Sequence, residues 1–155
     1  MLDPKDIEAI RAEARHYEDP KAVGVDAMKL AQKRQGWIDD DTLHQLAELL
    51  GMSATELEGL ATFYNLIYRQ PVGRHVIHVC DSVSCWVCDY DALREALKRR
   101  LGIDFGETTK DGRFTLLPIV CLGACDRAPT LLVDGDLHGP VTDADGIDQI
   151  LQRYE

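Results

Sequence analysis

The sequence predicts an α+β chain in two parts, an N-terminal four-helix bundle over residues 1–72 and a small α/β domain over residues 73–155. Three observations carry this expectation. In the first part, apolar residues recur at three- and four-residue spacing behind helix-cap signals. In the second, short β-rich runs alternate with helical patterns. Between them Gln70-Pro71-Val72-Gly73 punctuates the chain as a turn or linker.

Asp3-Pro4 opens the first helix, because Asp caps the free N–H groups and Pro suits the first helical position. Ile7, Ile10 and Ala14 then share one face. Asp19-Pro20 repeats the start signal for a second helix carrying Val23, Ala27, Met28, Leu30 and Ala31, with Gly36 as its stop. Asp39-Asp40-Asp41 opens a third, with Leu43, Leu46, Ala47 and Leu50 inward and Gly51 at its end. Ser53-Ala54-Thr55-Glu56 has the capping-box form and starts a fourth, with Leu57, Leu60 and Ala61 inward. Trp37 is expected to anchor a helix connection, and Phe63 and Tyr64 are expected in the core.

In the second part, Arg74 to Val79 reads as a strand, with His75 and His78 in structural roles. Asp89 to Leu101 reads as a helix, and Phe114 to Val120 as a strand. Thr130 to Val133 and Leu137 to Val141 flank an Asp134-Gly135-Asp136 hairpin turn, and Thr142 onward starts a last helix. The order β-α-β-β-β-α is a compact form of the thioredoxin arrangement, with Asp104 to Thr109 as the place for a missing piece. Ala128-Pro129 suits either a cis or a trans bond before its strand.

The net charge of −10 is spread evenly over both parts. A basic stripe is what nucleic-acid binding requires, so no nucleic-acid partner is expected. The polar, acidic start Met1-Leu2-Asp3-Pro4-Lys5-Asp6 and the lack of a long apolar run predict no secretion signal and no direct membrane insertion. An odd count of five cysteines in such a chain points to reduced thiols rather than a disulfide framework.

Those cysteines carry the chemistry. Cys80 and Cys85 follow one expected strand, and Cys121 and Cys125 follow another. Two strand-end loops side by side would aim four thiolates at one point, and thiolate is the soft ligand that iron–sulfur clusters and zinc select. Three readings stay open on spacing alone: a [2Fe-2S] cluster, a structural four-cysteine zinc interaction module, and a metal-free dithiol using Cys85-Trp86-Val87-Cys88. Cys80-x4-Cys85-x2-Cys88 also matches plant-type ferredoxin spacing, which would make Cys88 a ligand. The set Cys80, Cys85, Cys121 and Cys125 is preferred, because Leu122-Gly123-Ala124 forms a tight turn that brings its two flanking thiols together. Cys88 then serves as a small buried hydrophobe. There is no G-x-G-x-x-G loop, so no dinucleotide is expected to bind this chain, and no catalytic acid–base pair stands out.

The run Asp111-Gly112-Arg113-Phe114-Thr115, then Cys121-Leu122-Gly123-Ala124-Cys125-Asp126-Arg127-Ala128-Pro129, resembles a family signature. So do Cys80-Asp81-Ser82-Val83-Ser84-Cys85, Ala61-Thr62-Phe63-Tyr64 and Gln70-Pro71-Val72-Gly73-Arg74. The resemblance is to the small iron–sulfur subunits (E type) of bacterial NADH:quinone oxidoreductase, complex I, in the thioredoxin-like [2Fe-2S] ferredoxin family. It implies a helical bundle followed by a thioredoxin-like α/β domain, with one [2Fe-2S] cluster on Cys80, Cys85, Cys121 and Cys125. It further implies a one-electron carrier in the NADH dehydrogenase module. Its partner would be a larger subunit with FMN, the NADH site and a [4Fe-4S] cluster, alongside further complex I subunits. The expected location is cytoplasmic, peripheral on the inner face of the bacterial plasma membrane. Related subunits serve NAD-reducing hydrogenases and formate dehydrogenases, and the motifs do not separate these assemblies.

Overall fold

The computed structural model describes residues 2–154. The outer ends of the two expected parts, Met1 and Glu155, lie outside them. The chain divides into two compact units between Pro71 and Val72.

In the first unit, four α-helices enclose one apolar core. Helix α1 (Pro4–Ala14) starts as expected, with the Asp3 carboxylate accepting the Lys5 N–H. Asp19-Pro20 does not open a long helix. It starts a 3-10 turn, Pro20–Val23, because the Asp19 carboxylate takes the Lys21 N–H and closes the chain tightly. Helix α2 (Gly24–Gln35) begins afterwards. A side chain at Gly24 would press on Leu57 and Leu60, so glycine lets α2 begin close against their helix. That helix, α4 (Ala54–Phe63), has both capping-box hydrogen bonds between Ser53 and Glu56. Helix α3 (Asp40–Leu50) is capped by Asp39 and stops at the left-handed Gly51. Met28, Ile38, Leu46 and Leu57 are fully enclosed. Asp6 is buried and takes two hydrogen bonds from the Arg34 guanidinium, 2.8 and 2.9 Å long, which ties α1 to α2 and leaves no unpaired charge.

Two expectations for this unit fail. Trp37 is only partly covered, and the anchor of the connection is its neighbour Ile38, whose N–H donates to the Tyr68 carbonyl. Phe63 is 75% exposed and Tyr64 is also exposed, so neither is core. The reason is the path after α4. The Gln32 amide holds both the Leu66 carbonyl and the Tyr68 N–H, which turns Ile67 inward instead.

The second unit is a mixed α+β arrangement around a four-stranded sheet, consistent with a thioredoxin-like fold. Strand β1 (His75–Cys80) lies centrally and is almost wholly buried, which explains Val76, Ile77 and Val79 facing both sides of the sheet. It pairs in parallel with β2 (Phe114–Ile119) and antiparallel with β3 (Leu131–Val133). Strand β3 turns through Asp134 and Gly135, both at positive φ, into β4 (Asp136–His138), giving the order β2-β1-β3-β4. One short helical turn, α5 (Val83–Val87), follows β1. Helices α6 (Tyr90–Leu101) and α7 (Ala144–Gln152) supply Leu93, Leu97, Ile147 and Leu151 to the core.

Helix α5 is not among the expected elements, since no side-chain cap announces it. The returning strand stops at His138, earlier than expected. Gly139 explains the stop. A Cβ there would lie 2.5 Å from the Arg127 carbonyl oxygen and 2.6 Å from Thr130 Cγ2, so the chain passes tightly under the loop before β3. Ala128-Pro129 is cis, as is Gly139-Pro140. Between Asp104 and Thr109 there is one isolated bridge, Thr108 to Thr115, rather than a further strand or helix. Among the described residues no helix is long and apolar enough to cross a membrane.

Candidate metal centre

Parallel pairing of β1 and β2 decides where the cysteines go. Cys80 ends β1 in register with Ile119, which ends β2. The two following segments therefore leave the sheet at the same end. Cys85 sits within α5, buried, with its sulfur 3.6 Å from the Thr130 hydroxyl. Cys121 and Cys125 lie on the loop after β2, both exposed, with sulfurs 4.0 Å apart. Gly123 between them adopts φ +76°, a left-handed conformation that glycine takes without a steric penalty. Its N–H donates to the Cys121 sulfur at 3.3 Å.

The two segments meet at Cys80. Burial pushes the Cys80 thiol up. Donors from the Ser82 and Leu122 backbone, together with Cys85 and Thr130, outweigh burial and hold it below its ordinary value. Leu122 belongs to the second loop, so a backbone group of that loop is among those that lower the Cys80 thiol. Cys85 shifts the opposite way, chiefly because burial pushes its thiol up. Backbone N–H groups aimed at sulfur favour the thiolate over the thiol.

This donor set suits a two-iron cluster. Two thiolates on one tetrahedral ion with metal–sulfur bonds of about 2.3 Å stand ~3.8 Å apart, close to the Cys121–Cys125 spacing. Cys80 and Cys85, both buried, are the other two thiols at this end of the sheet. Among the described residues no three or more His, Cys, Asp or Glu side chains converge on a single point.

Cys88 is not the buried filler expected of it. It caps the C-terminus of α5 with a non-helical backbone, φ −98° and ψ 40°, and is exposed, because the chain leaves the helix there and no longer follows the face that buries Cys85. The dithiol reading suffers from the same geometry. Its attacking thiol should be accessible with a lowered pKa, whereas Cys85 is buried and raised. His75 lies at the far end of β1 against Asp134, and His78 is buried in the sheet. Thr130, buried and hydrogen-bonded to the cysteine pair, is a site residue that the sequence does not announce. A single Thr before a strand carries no signal of that role.

Comparison with known proteins agrees with this geometry. Residues 10–155 match the family model for the thioredoxin-like [2Fe-2S] ferredoxin. The chain is 48% identical to the E subunit of NADH-quinone oxidoreductase from Escherichia coli (strain K12) over 154 residues, 99% of this chain and 92% of that protein. It is 46% identical to its counterpart from Pseudomonas aeruginosa, with the same shares covered. Among solved structures, an NAD+-reducing [NiFe]-hydrogenase in the air-oxidized state superimposes with a TM-score of 0.71 at 26% identity over 85% of this chain. The match spans only 22% of that hydrogenase chain. Four thiols in two pairs at one sheet end, and near-full-length similarity to these proteins, lead to one conclusion: the chain belongs to the thioredoxin-like [2Fe-2S] ferredoxin family, with the E subunits of NADH-quinone oxidoreductase.

Proposed function

We propose that Cys80, Cys85, Cys121 and Cys125 hold one [2Fe-2S] cluster, and that the chain carries single electrons in the NADH dehydrogenase module of a respiratory NADH:quinone oxidoreductase. The observation that carries this reading is the parallel register of β1 and β2, which sends both cysteine segments off one end of the sheet, with the Cys121 and Cys125 sulfurs 4.0 Å apart. Bound there, the cluster supplies reversible storage of one electron. The chain's own groups tune that storage. The N–H groups of Ser82, Leu122 and Gly123 stabilise negative charge on sulfur. The exposed carboxylates of Asp81 and Asp126 disfavour an added electron, and Arg127 opposes them locally.

The partner in this reading is a larger subunit carrying FMN, the NADH site and a [4Fe-4S] cluster. Residues 1–72 serve as a four-helix bundle domain and residues 73–155 as the cluster domain. The complex sits on the cytoplasmic face of the bacterial plasma membrane, held there by other subunits. A second reading, the equivalent subunit of an NAD-reducing hydrogenase, is favoured by the 0.71 TM-score match. The higher identity to the E subunits of NADH-quinone oxidoreductase ranks it second.

The test is anaerobic purification of the full chain with metal analysis and an optical spectrum. The expected result is a brown protein with about two irons per chain, whose visible absorbance bleaches on reduction. A colourless protein with one zinc would overturn the proposal. Copurification with a hydrogenase module instead of quinone-reducing subunits would move it to the second reading.

A further inference from the structure

The Gln70-Pro71-Val72-Gly73-Arg74 and Asp111-Gly112-Arg113-Phe114-Thr115 motifs carry no cysteine, and the proposed centre leaves them unused. Gly73-Arg74 of the first and Gly112-Arg113 of the second meet where β1 and β2 begin, at the sheet end opposite the cysteines. The Arg74 N–H donates to the Gly112 carbonyl at 3.0 Å, and the His75 N–H to the Arg113 carbonyl at 2.9 Å. The Gly73 N–H donates to the buried Thr115 hydroxyl at 2.6 Å, and that hydroxyl lies 2.7 Å from the hydroxyl of Thr108. A Cβ at Gly73 would stand 3.0 Å from the Gly112 oxygen and from the Arg113 carbonyl, tighter than side chains ordinarily sit against backbone.

We propose that Gly73 and Thr115 are positioning residues for the cluster: from the far end of the sheet they set the β1–β2 register that brings the Cys121–Cys125 loop level with Cys80. The proposal rests on the cluster reading above. Strand β2 lies at the sheet edge, with β1 as its one strand neighbour among the described residues. A slip of one residue would turn Phe114 and Leu116 out of the core, so burial opposes it. A slip of two keeps every side chain on its own face and sets apolar residues of β2 against Ile77 and Val79 as before, so burial opposes it weakly. Gly73 and Thr115 do discriminate. Such a slip puts a residue with a Cβ where Gly73 now passes the Arg113 carbonyl, and it parts the Gly73 N–H from the Thr115 hydroxyl. It would also move the Cys121–Cys125 loop about 7 Å relative to Cys80, at ~3.3 Å per residue. On its other side β1 is tied separately, since the Asp134 carboxylate takes the Val76 N–H at 2.9 Å. What Gly73 and Thr115 place is therefore β2 with the loop behind it.

The test uses the full, cluster-loaded chain. Thr115→Val keeps the side-chain shape and removes the hydroxyl, and Gly73→Ala adds the methyl that the Arg113 carbonyl opposes. Each should speed iron release to a chelator about three- to tenfold, the worth of one net hydrogen bond. Each should also broaden the EPR signal of the reduced cluster, and Thr115→Ser should return both readings to wild type. Ile150→Val loosens the same core from α7 without touching the register, and should leave the EPR signal unchanged. Wild-type iron release and EPR in Thr115→Val would overturn the proposal and leave the cluster reading standing. Equal broadening in Ile150→Val would overturn it too, by making the effect one of general loosening. If a variant fails to fold, hydrogen exchange in the unmutated chain decides: a Gly73 amide as protected as that of Ile77 supports the proposal, and one that exchanges freely overturns it. A wild-type chain without a [2Fe-2S] spectrum would instead sink the cluster reading.

Discussion

The two halves of the candidate centre are built differently. Cys80 and Cys85 are buried, one on the central strand and one in a helical turn, and Cys85 meets the Thr130 hydroxyl. Cys121 and Cys125 are exposed on a loop held by one left-handed glycine. The first pair is thus part of the core, and the second is an addition at the end of a strand. In the proposed centre the buried half would fix where a metal sits, and the exposed half would leave its other side open to solvent.

The sharpest way to break that contrast is to remove one thiol from each half. Cys85→Ala and Cys125→Ala should both abolish [2Fe-2S] absorbance. Only Cys85→Ala should also weaken the apoprotein, by about 1–2 kcal/mol in urea, since a buried Thr130 hydroxyl loses a partner. Cys125→Ala should stay within about 0.5 kcal/mol of the parent. Equal apoprotein losses would mean that the two halves are not distinct.

Backbone sites come next in size. Gly139→Ala forces a Cβ onto the Arg127 carbonyl and Thr130, so a loss of about 1–3 kcal/mol is expected from overpacking. Gly123→Ala keeps open space around the new methyl but strains φ +76°, for about 1–2 kcal/mol, with faster cluster loss. If Gly123→Ala were silent in both measurements, the loop half would not depend on that turn.

A control lies in the helical unit. The Glu56 carboxyl is held below its usual value by hydrogen bonds to the Ser53 backbone N–H first, then to the Ser53 hydroxyl and Lys21. Because the folded-state value is depressed, this stabilisation is present above the ordinary carboxylate range and is lost as pH falls through the folded value. Ser53→Ala should cost about 1 kcal/mol at neutral pH. Urea titration of the apoprotein should show that gap narrowing at low pH, with the neutral-pH cluster spectrum unchanged. The smallest effect belongs to Cys88→Ser. At an exposed helix end it should retain full iron and shift stability by less than about 0.5 kcal/mol.

Much of this molecule is legible in its sequence because the signals are local. Asp3, Asp39 and Ser53 announce helix starts through hydrogen bonds spanning two or three residues, and the structure has all three. The Asp134-Gly135 turn and the spacing of Leu93 and Leu97 are equally short-range. The misses concern what a residue meets from far along the chain. Phe63 and Ile67 are both apolar near one helix end, and only the Gln32 clamp, more than thirty positions away, decides which turns inward. Cys85 and Cys88 look alike in sequence, and the end of α5 at Val87 leaves one buried within the helix and the other exposed beyond it.

By itself, the sequence determined the helix caps, the strand runs and the choice of thiol as the reactive group, because those depend on neighbours within a turn. The tertiary structure decided that β1 and β2 run in parallel, so both cysteine segments leave at one end. It also decided that the Thr130 hydroxyl meets the Cys85 sulfur, 45 positions away. Chain entropy keeps such distant groups apart until the whole sheet has formed, and no local pattern of residues encodes that meeting.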